Sequence, residues 1–190
     1  MTSLWADLPV SVEYKGREYK LSPAFDNVLR MFVEVEDDRL TEWNKLDIML
    51  YYLLQDEGYP IEPELLEAIS GVLFPPGRHS SGPKVFDFEQ DADLIYAAFR
   101  QVYGIDLQSE RGKMHWLTFQ ALLSGLPTGT RLGDIIQIRS QPVPVATRHN
   151  AEEIARLTRL KAEYGLNSEN VSFRAGLARM AEWMMEQAKR

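Results

Sequence analysis

Four acidic residues stand at every second position of one segment, where carboxylates could surround a divalent cation. They are Asp87, Glu89, Asp91 and Asp93. A calcium loop of the EF-hand type needs glycine at its sixth position and glutamate at its twelfth, but the segment has Ala92 and Ala98 there. On a helix the four carboxylates would diverge to both flanks of an apolar stripe. We therefore favour capping and a surface role opposing the helix dipole over metal binding.

A glycine-containing segment, residues 77–84, has part of the pattern of a phosphate-binding loop. Such a loop needs lysine directly after its second glycine and then serine or threonine, because these groups hold the phosphates and the magnesium ion. Here Pro83 follows Gly82 and displaces the lysine to position 84, and Val85 then stands where the hydroxyl residue should follow it. The preceding segment also has helical spacing, so we favour a surface loop over a nucleotide site.

Histidine is the next residue type that could act as a ligand or a base. His79, His115 and His149 belong to three segments, and no two of them lie three or four residues apart on one helix. For His115, beside Trp116, a hydrogen-bonded core residue is the better interpretation than a catalyst. No Gly-x-Ser-x-Gly motif is present. The sequence predicts no catalytic residue, no metal site and no cofactor, and so a protein that is not an enzyme.

The net charge and the composition of the chain limit the classes of partner that it can bind. The 190-residue chain has 21 basic and 28 acidic residues, a formal net charge of −7, which disfavours binding to nucleic acid or to an anionic membrane. It has no cysteine, which excludes disulfides and thiolate chemistry. Its longest apolar run, residues 48–54, is far below the roughly 20 residues that span a bilayer. These features predict a soluble, cytoplasmic, protein-binding chain.

Hydrophobic spacing predicts a mainly α fold with a small N-terminal β-hairpin. Alternating residues 10–14 and 18–21 form the predicted hairpin. Helices are predicted at about residues 24–36, 41–57, 63–73, 87–103, 113–124, 130–138, 150–164 and from 168 onward. We expect residues 1–165 to form a helical domain and residues 166–190 an amphipathic C-terminal helix.

The predicted helices also carry start and stop signals. The expected N-caps are Ser22, Thr41, Asp87 and Asn150, the last paired with Glu153 in a capping box. Glycine is expected to end three helices, at Gly58, Gly104 and Gly165. Because residues 48–54 are apolar on every side, the second helix is expected to lie in the middle of the fold.

The C-terminal helix places its larger apolar side chains on one stripe. These side chains are Phe173, Leu177, Met180 and Met184. The stripe could pack on the protein's own core. It could instead bind a partner, for which methionine provides an adaptable apolar surface. The sequence leaves both interpretations open.

Six blocks between Tyr19 and Pro144 carry a family resemblance. They are residues 21–29 (LSPAFDNVL), 45–47 (KLD), 86–99 (FDFEQDADLIYAAF), 103–107 (YGIDL), 115–127 (HWLTFQALLSGLP) and 130–139 (TRLGDIIQIR). In these blocks the chain resembles the bacteriophage gene-product-fifteen family of tail-module proteins. The segment beyond Gly165 lies outside them.

The resemblance implies a function in phage tail assembly. Genes of this family typically lie between the tail-tube and tape-measure genes, which implies a tail assembly chaperone that keeps the tape-measure protein soluble in the host cytoplasm. One alternative is a structural virion component such as a connector or tail-completion protein. The other is a hydrolase or nuclease using Asp87, Asp91 and a histidine. Other tail proteins and a second copy of the chain remain further candidate partners.

A chaperone for a long helical protein would cover its apolar stripes by packing helices against them. The residues that we predict to contact the tape-measure protein are Trp116, Phe119, Phe173, Leu177, Met180 and Met184.

Overall fold

The structure, a computed structural model, describes residues 6–75 and 85–166. These residues divide into two compact units. The first contains residues 6–75 and 110–121, and the second contains residues 85–109 and 122–166. The loop predicted at residues 77–84 and the helix predicted from residue 168 lie outside the described residues, so the domain boundary expected at residue 165 stays a prediction.

The mainly α fold with an N-terminal hairpin is confirmed. Within the described residues the elements are β1 (Ser11–Tyr14), β2 (Arg17–Lys20), α1 (Phe25–Val35), α2 (Glu42–Leu53), α3 (Pro63–Leu73), α4 (Ala92–Tyr103), α5 (Trp116–Ser124), α6 (Arg131–Ser140) and α7 (Ala151–Tyr164).

The hairpin forms because its turn matches the twist of its strands. β1 and β2 pair antiparallel, and the two turn residues Lys15 and Gly16 have φ of 49° and 75°. Positive φ at both central positions is the geometry that two-residue hairpins favour. A side-chain contact attaches the turn to the start of α3, since the Tyr14 hydroxyl and Lys15 Nζ donate to Glu62 at 2.6 and 2.8 Å.

Backbone pairing with distant residues ends α2 early. The Ser22 N–H donates to the Leu53 carbonyl at 2.7 Å, and the Gln55 N–H donates to the Lys20 carbonyl at 2.9 Å. These bonds make Leu54 a strand-like partner of Leu21. The predicted end at Gly58 is therefore wrong, because groups that would continue the helix bind the hairpin strand instead.

The same kind of pairing delays the start of α5 to Trp116. His115 forms an antiparallel bridge with Ala24. The Phe25 N–H donates to the Met114 carbonyl at 2.9 Å, and the Trp116 N–H donates to the Pro23 carbonyl at 2.6 Å. Lys113 and Met114 thus lie in a turn and a bend, and His115 forms a strand-like bridge, where the spacing predicted helix.

The predicted caps had mixed outcomes. Thr41 is confirmed, since its hydroxyl accepts from the Asn44 N–H at 3.2 Å. Ser22 is wrong, because Ala24 precedes α1 and the Ser22 hydroxyl accepts from the Asn27 amide instead. A cap thus forms only where the backbone beside it is free to adopt the capping geometry.

In the second unit α4 ends at Gly104 as predicted, with φ of 68°. The capping box at Asn150 is wrong. Although Asn150 precedes α7, its side chain binds the preceding extended segment, donating to the Val145 carbonyl at 2.9 Å and accepting from the Thr147 N–H at 2.7 Å.

Two helical glycines provide a matched test of packing. A Cβ at Gly133 in α6 would lie 2.7 Å from the Pro127 carbonyl oxygen, whereas a Cβ at Gly71 in α3 would meet nothing within 4 Å. Gly71→Ala should raise the free energy of unfolding by about 0.5–1 kcal/mol through helix propensity. Gly133→Ala should lower it by about 1–3 kcal/mol, because the backbone must shift. Urea unfolding followed by circular dichroism measures both, and equal effects would contradict the close approach.

Candidate functional site

An exposed aromatic surface lies on α2 in the first unit. Trp43, Asp47 and Tyr51 follow one another at intervals of four, so they share one side of the helix. Trp43 is 54% exposed and Tyr51 is 68% exposed. The buried side chains of α2 are Leu46, Met49, Leu50 and Leu53. Residues 48–54 are therefore buried on one side only, and the predicted all-round burial is wrong. We call Trp43, Asp47 and Tyr51 the outer face of α2.

Acceptor and aromatic groups flank this outer face. The Tyr59 hydroxyl, from the loop after α2, lies 3.5 Å from an Asp47 carboxylate oxygen. The Tyr51 ring meets the Tyr52 ring edge-on with centroids 5.4 Å apart. The Tyr52 hydroxyl in turn donates to the Glu34 carboxylate on α1. The outer face therefore lies among phenol and carboxylate groups from three segments.

The segment that contains the outer face is strongly acidic. Residues 34–67 include eleven acidic and two basic side chains. Arg39 binds Asp37 with an N–O distance of 2.7 Å, and Lys45 lies 3.7 Å from Glu42. Both cations of the segment are thus beside carboxylates of the segment, and its surplus charge is negative.

This environment changes the acidity of two phenols. The hydrogen bond to Glu34, and then burial, raises the pKa of Tyr52. Burial, and then the negative charge of Asp47, raises the pKa of Tyr59. Both hydroxyls therefore keep their protons and act as donors to carboxylates up to more alkaline pH than an ordinary tyrosine would.

The raised pKa of Tyr52 predicts a loss of stability in alkali. A raised folded-state pKa contributes stability below the ordinary value of 10.0, and that contribution is lost as pH rises through the folded-state pKa. The difference in free energy of unfolding between the wild type and Tyr52→Phe should be largest below pH 10 and should shrink above it. Urea unfolding across pH 8–11.5 measures it. A difference that does not change with pH would contradict the Glu34 hydrogen bond.

The second unit contains a buried ion pair. The side chains of Arg139 and Asp91 are 7% and 2% exposed. Arg139 Nη1 and Nη2 donate to the two carboxylate oxygens of Asp91 at 2.5 and 3.0 Å. Arg139 also donates to the Tyr164 carbonyl at 2.6 Å and to the Val85 carbonyl at 3.1 Å. One guanidinium therefore joins α6, the start of α4, the end of α7 and the segment before α4.

The acidic cluster serves this ion pair and the turn that precedes it. The Asp87 N–H donates to Asp91 at 2.9 Å. Asp87 accepts from the N–H groups of Glu89 and Gln90 at 2.9 and 2.8 Å, so it caps a turn and not α4, which begins at Ala92. The predicted surface role is wrong for Asp87 and Asp91, because both are buried. Among the described residues no group of three or more His, Asp or Glu is placed to hold a metal ion.

The Asp91–Arg139 pair is suited to positioning and not to chemistry on a solute. Both Asp91 oxygens accept hydrogen bonds, and the pair is almost completely covered. Sequence reasoning missed it because the two residues are 48 positions apart. The available signal was that one lies in the block 86–99 and the other in the block 130–139.

Removing one partner of this pair should be costly. Asp91→Asn should lower the free energy of unfolding by about 3–5 kcal/mol, because it leaves a buried guanidinium without its counter-charge. The double variant Asp91→Leu with Arg139→Met should lose less than the sum of the losses that Asp91→Leu and Arg139→Met cause separately. Arg156→Met, an exposed change on α7, is the control and should cost under about 1 kcal/mol. If urea unfolding shows that the double variant loses the full sum of the two single losses, Asp91 and Arg139 do not stabilise each other and the prediction is contradicted.

His115 is hydrogen-bonded through both ring nitrogens, as the structural interpretation expected. Its Nδ1 accepts from the Leu117 N–H at 3.1 Å, and its Nε2 lies 2.9 Å from the Pro9 carbonyl. A backbone donor at one nitrogen and a carbonyl at the other require the neutral form with the proton on Nε2. The ring therefore caps the start of α5 and ties down residues before β1. His79 lies outside the described residues.

Two predicted contact residues lie in the core of the first unit. Trp116 and Phe119 are each 1% exposed. The Trp116 ring meets Phe32 and Phe119 at 5.7 Å, and Phe119 stacks on Phe25 at 4.9 Å. Both side chains are therefore covered in this structure, and their contact with a partner stays a prediction.

The other contact candidates are Phe173, Leu177, Met180 and Met184, which lie outside the described residues. Sequence reasoning missed Trp43 and Tyr51. Their spacing of eight residues, with the charged Asp47 halfway between them, could have indicated an exposed side of the helix. The apolar run at residues 48–54 indicated burial on all sides instead.

Comparison with known proteins identifies the family of the chain. A family model described as "Bacteriophage Gp15 protein" matches residues 4–166. This range contains all six blocks of the resemblance and ends where the C-terminal helix was predicted to begin. Neither a curated protein nor a solved structure matches the chain. Within residues 6–75 and 85–166, every helix is too short or too polar to cross a membrane.

Proposed function

We propose, because this chain belongs to the Bacteriophage Gp15 protein family, that it is a tail assembly chaperone that binds the tape-measure protein in the host cytoplasm. Family membership over residues 4–166 is the observation that carries the proposal. Membership by itself supports a phage structural or morphogenesis protein. The chaperone activity and the tape-measure partner are the finer steps that we add, and neither requires a catalytic residue.

Two features of the first unit support a protein-binding role. The outer face of α2 exposes two large aromatic side chains, a residue type that contributes strongly to protein interfaces. The acidic surplus of residues 34–67 disfavours self-association and keeps nucleic acid away. A chaperone that holds a long helix with apolar stripes needs exposed aromatic side chains to bind it. It also needs surrounding charge that prevents association with other copies of the chaperone.

Co-expression with the phage's own tape-measure protein tests the proposal. We expect a soluble complex that elutes as one species in size-exclusion chromatography, with the tape-measure protein insoluble when expressed alone. An unrelated coiled-coil protein of similar length, co-expressed in the same way, is the control for nonspecific capture. A tape-measure protein that stays insoluble in the presence of this chain would overturn the assignment.

Purified virions separate the chaperone from the structural alternative. A chaperone leaves before the tail is complete, so quantitative mass spectrometry of purified particles should find less than one copy per virion. A fixed stoichiometry of several copies would show a structural component and would replace the chaperone proposal.

A further inference from the structure

We propose that the outer face of α2 is a docking surface for a cationic amphipathic helix of a partner protein. The proposal deepens the proposed function, on which it rests only for the identification of that partner as a segment of the tape-measure protein. Its chemistry comes from Trp43, Asp47 and Tyr51 and from the charges around them.

The apolar part of the surface has the dimensions of a helix contact. Trp43 and Tyr51 are eight residues apart, so their Cα atoms lie about 12 Å apart along α2 at 1.5 Å per residue. A partner helix that packs along α2 can cover both rings with apolar side chains spaced three and four residues apart. Tyrosine and tryptophan are also the residue types most enriched among those that dominate interface energy.

The charged side chains around the outer face determine whether a positively or a negatively charged partner can bind there. Asp47 lies between the two rings, and Glu34 lies beyond Tyr52. The cations of α1, α2, the segment between them and the hairpin are Arg30, Arg39 beside Asp37, Lys45 beside Glu42, Lys15 beside Glu62, and Arg17 and Lys20 on β2. Three of the six are already beside carboxylates, and residues 34–67 alone contain eleven acidic side chains. Lysine or arginine flanking the apolar stripe of a partner would therefore find unneutralised acid, whereas an acidic helix would be repelled.

The same charges disfavour a second copy of the chain as the occupant. In a two-fold symmetric contact each residue approaches its own equivalent or that of a neighbour. Packing two outer faces together would bring Asp47 and the acids of residues 34–67 against the same acids of the other copy. Like charges so placed oppose association.

The first test measures binding of a defined peptide to the full-length protein. The probe is a fluorescent 18-residue peptide of leucine and lysine, with leucine at helical spacing, and its partner probe has glutamate in place of lysine. Fluorescence anisotropy should show saturable binding of the lysine peptide and none of the glutamate peptide. The double variant Trp43→Ser with Tyr51→Ser should lower the affinity for the lysine peptide by about tenfold or more.

Charge reversal tests the selectivity. Asp47→Lys should lower the affinity for the lysine peptide several-fold and reduce the salt dependence of its binding. Val145→Ser and Glu152→Lys are the controls, since they make the same kinds of change at exposed positions in the second unit and should leave binding unchanged. All the altered side chains are exposed, and circular dichroism verifies folding. Equal binding of both peptides, or wild-type binding by the double variant, would overturn the proposal.

Co-expression with the tape-measure protein separates this proposal from the proposed function. If the wild type forms a soluble complex and the double variant does not, the outer face is the docking surface. If both form it equally, the chaperone function stands and the outer face is overturned as its site. If the wild type binds the lysine peptide selectively but not the tape-measure protein, the surface stands and the tape-measure assignment falls. A dimer in sedimentation that the double variant abolishes would assign the face to self-association instead.

Discussion

Burial of Arg139 against Asp91 constrains how the second unit is assembled, because a guanidinium removed from water needs its counter-charge and acceptors for its N–H groups. The two carboxylate oxygens and the carbonyls of Val85 and Tyr164 supply those acceptors. Moving any one of the segments that carry them would leave a buried polar group unsatisfied. The start of α4, the end of α6 and the end of α7 are therefore held by one side chain in addition to their apolar packing.

The first unit depends on backbone pairing between short extended segments. Leu54 pairs with Leu21, and His115 pairs with Ala24, so the residues between β2 and α1 hold an extended segment on each side. These bonds place Trp116 over Phe32 and Phe119 over Phe25 in an aromatic core. In the same unit α2 buries Leu46, Met49, Leu50 and Leu53 and leaves Trp43 and Tyr51 exposed.

Which side chains are buried and which are exposed indicates what the protein can bind. The residues whose chemistry attracts attention in the sequence, Asp87, Asp91, His115 and Trp116, are occupied in holding the fold. The surface instead offers aromatic rings within an acidic segment, which suits recognition of a protein of opposite charge. Membership in a bacteriophage family agrees with such a role, because phage particles are assembled through successive protein contacts.

The sequence by itself determined the fold class, the hairpin and the existence of the seven helices within residues 6–75 and 85–166, because local spacing, turn glycines and caps such as Thr41 act over a few residues. Its resemblance to known proteins also determined the family. Only the tertiary structure decided where α2 ends and α5 begins, since distant strand-like partners took those backbone groups. It also decided that Asp91 is buried beside Arg139 while Trp43 and Tyr51 are exposed. Charge pairing over 48 residues, and the choice of which side of an apolar helix is covered, depend on long-range packing that no local pattern records.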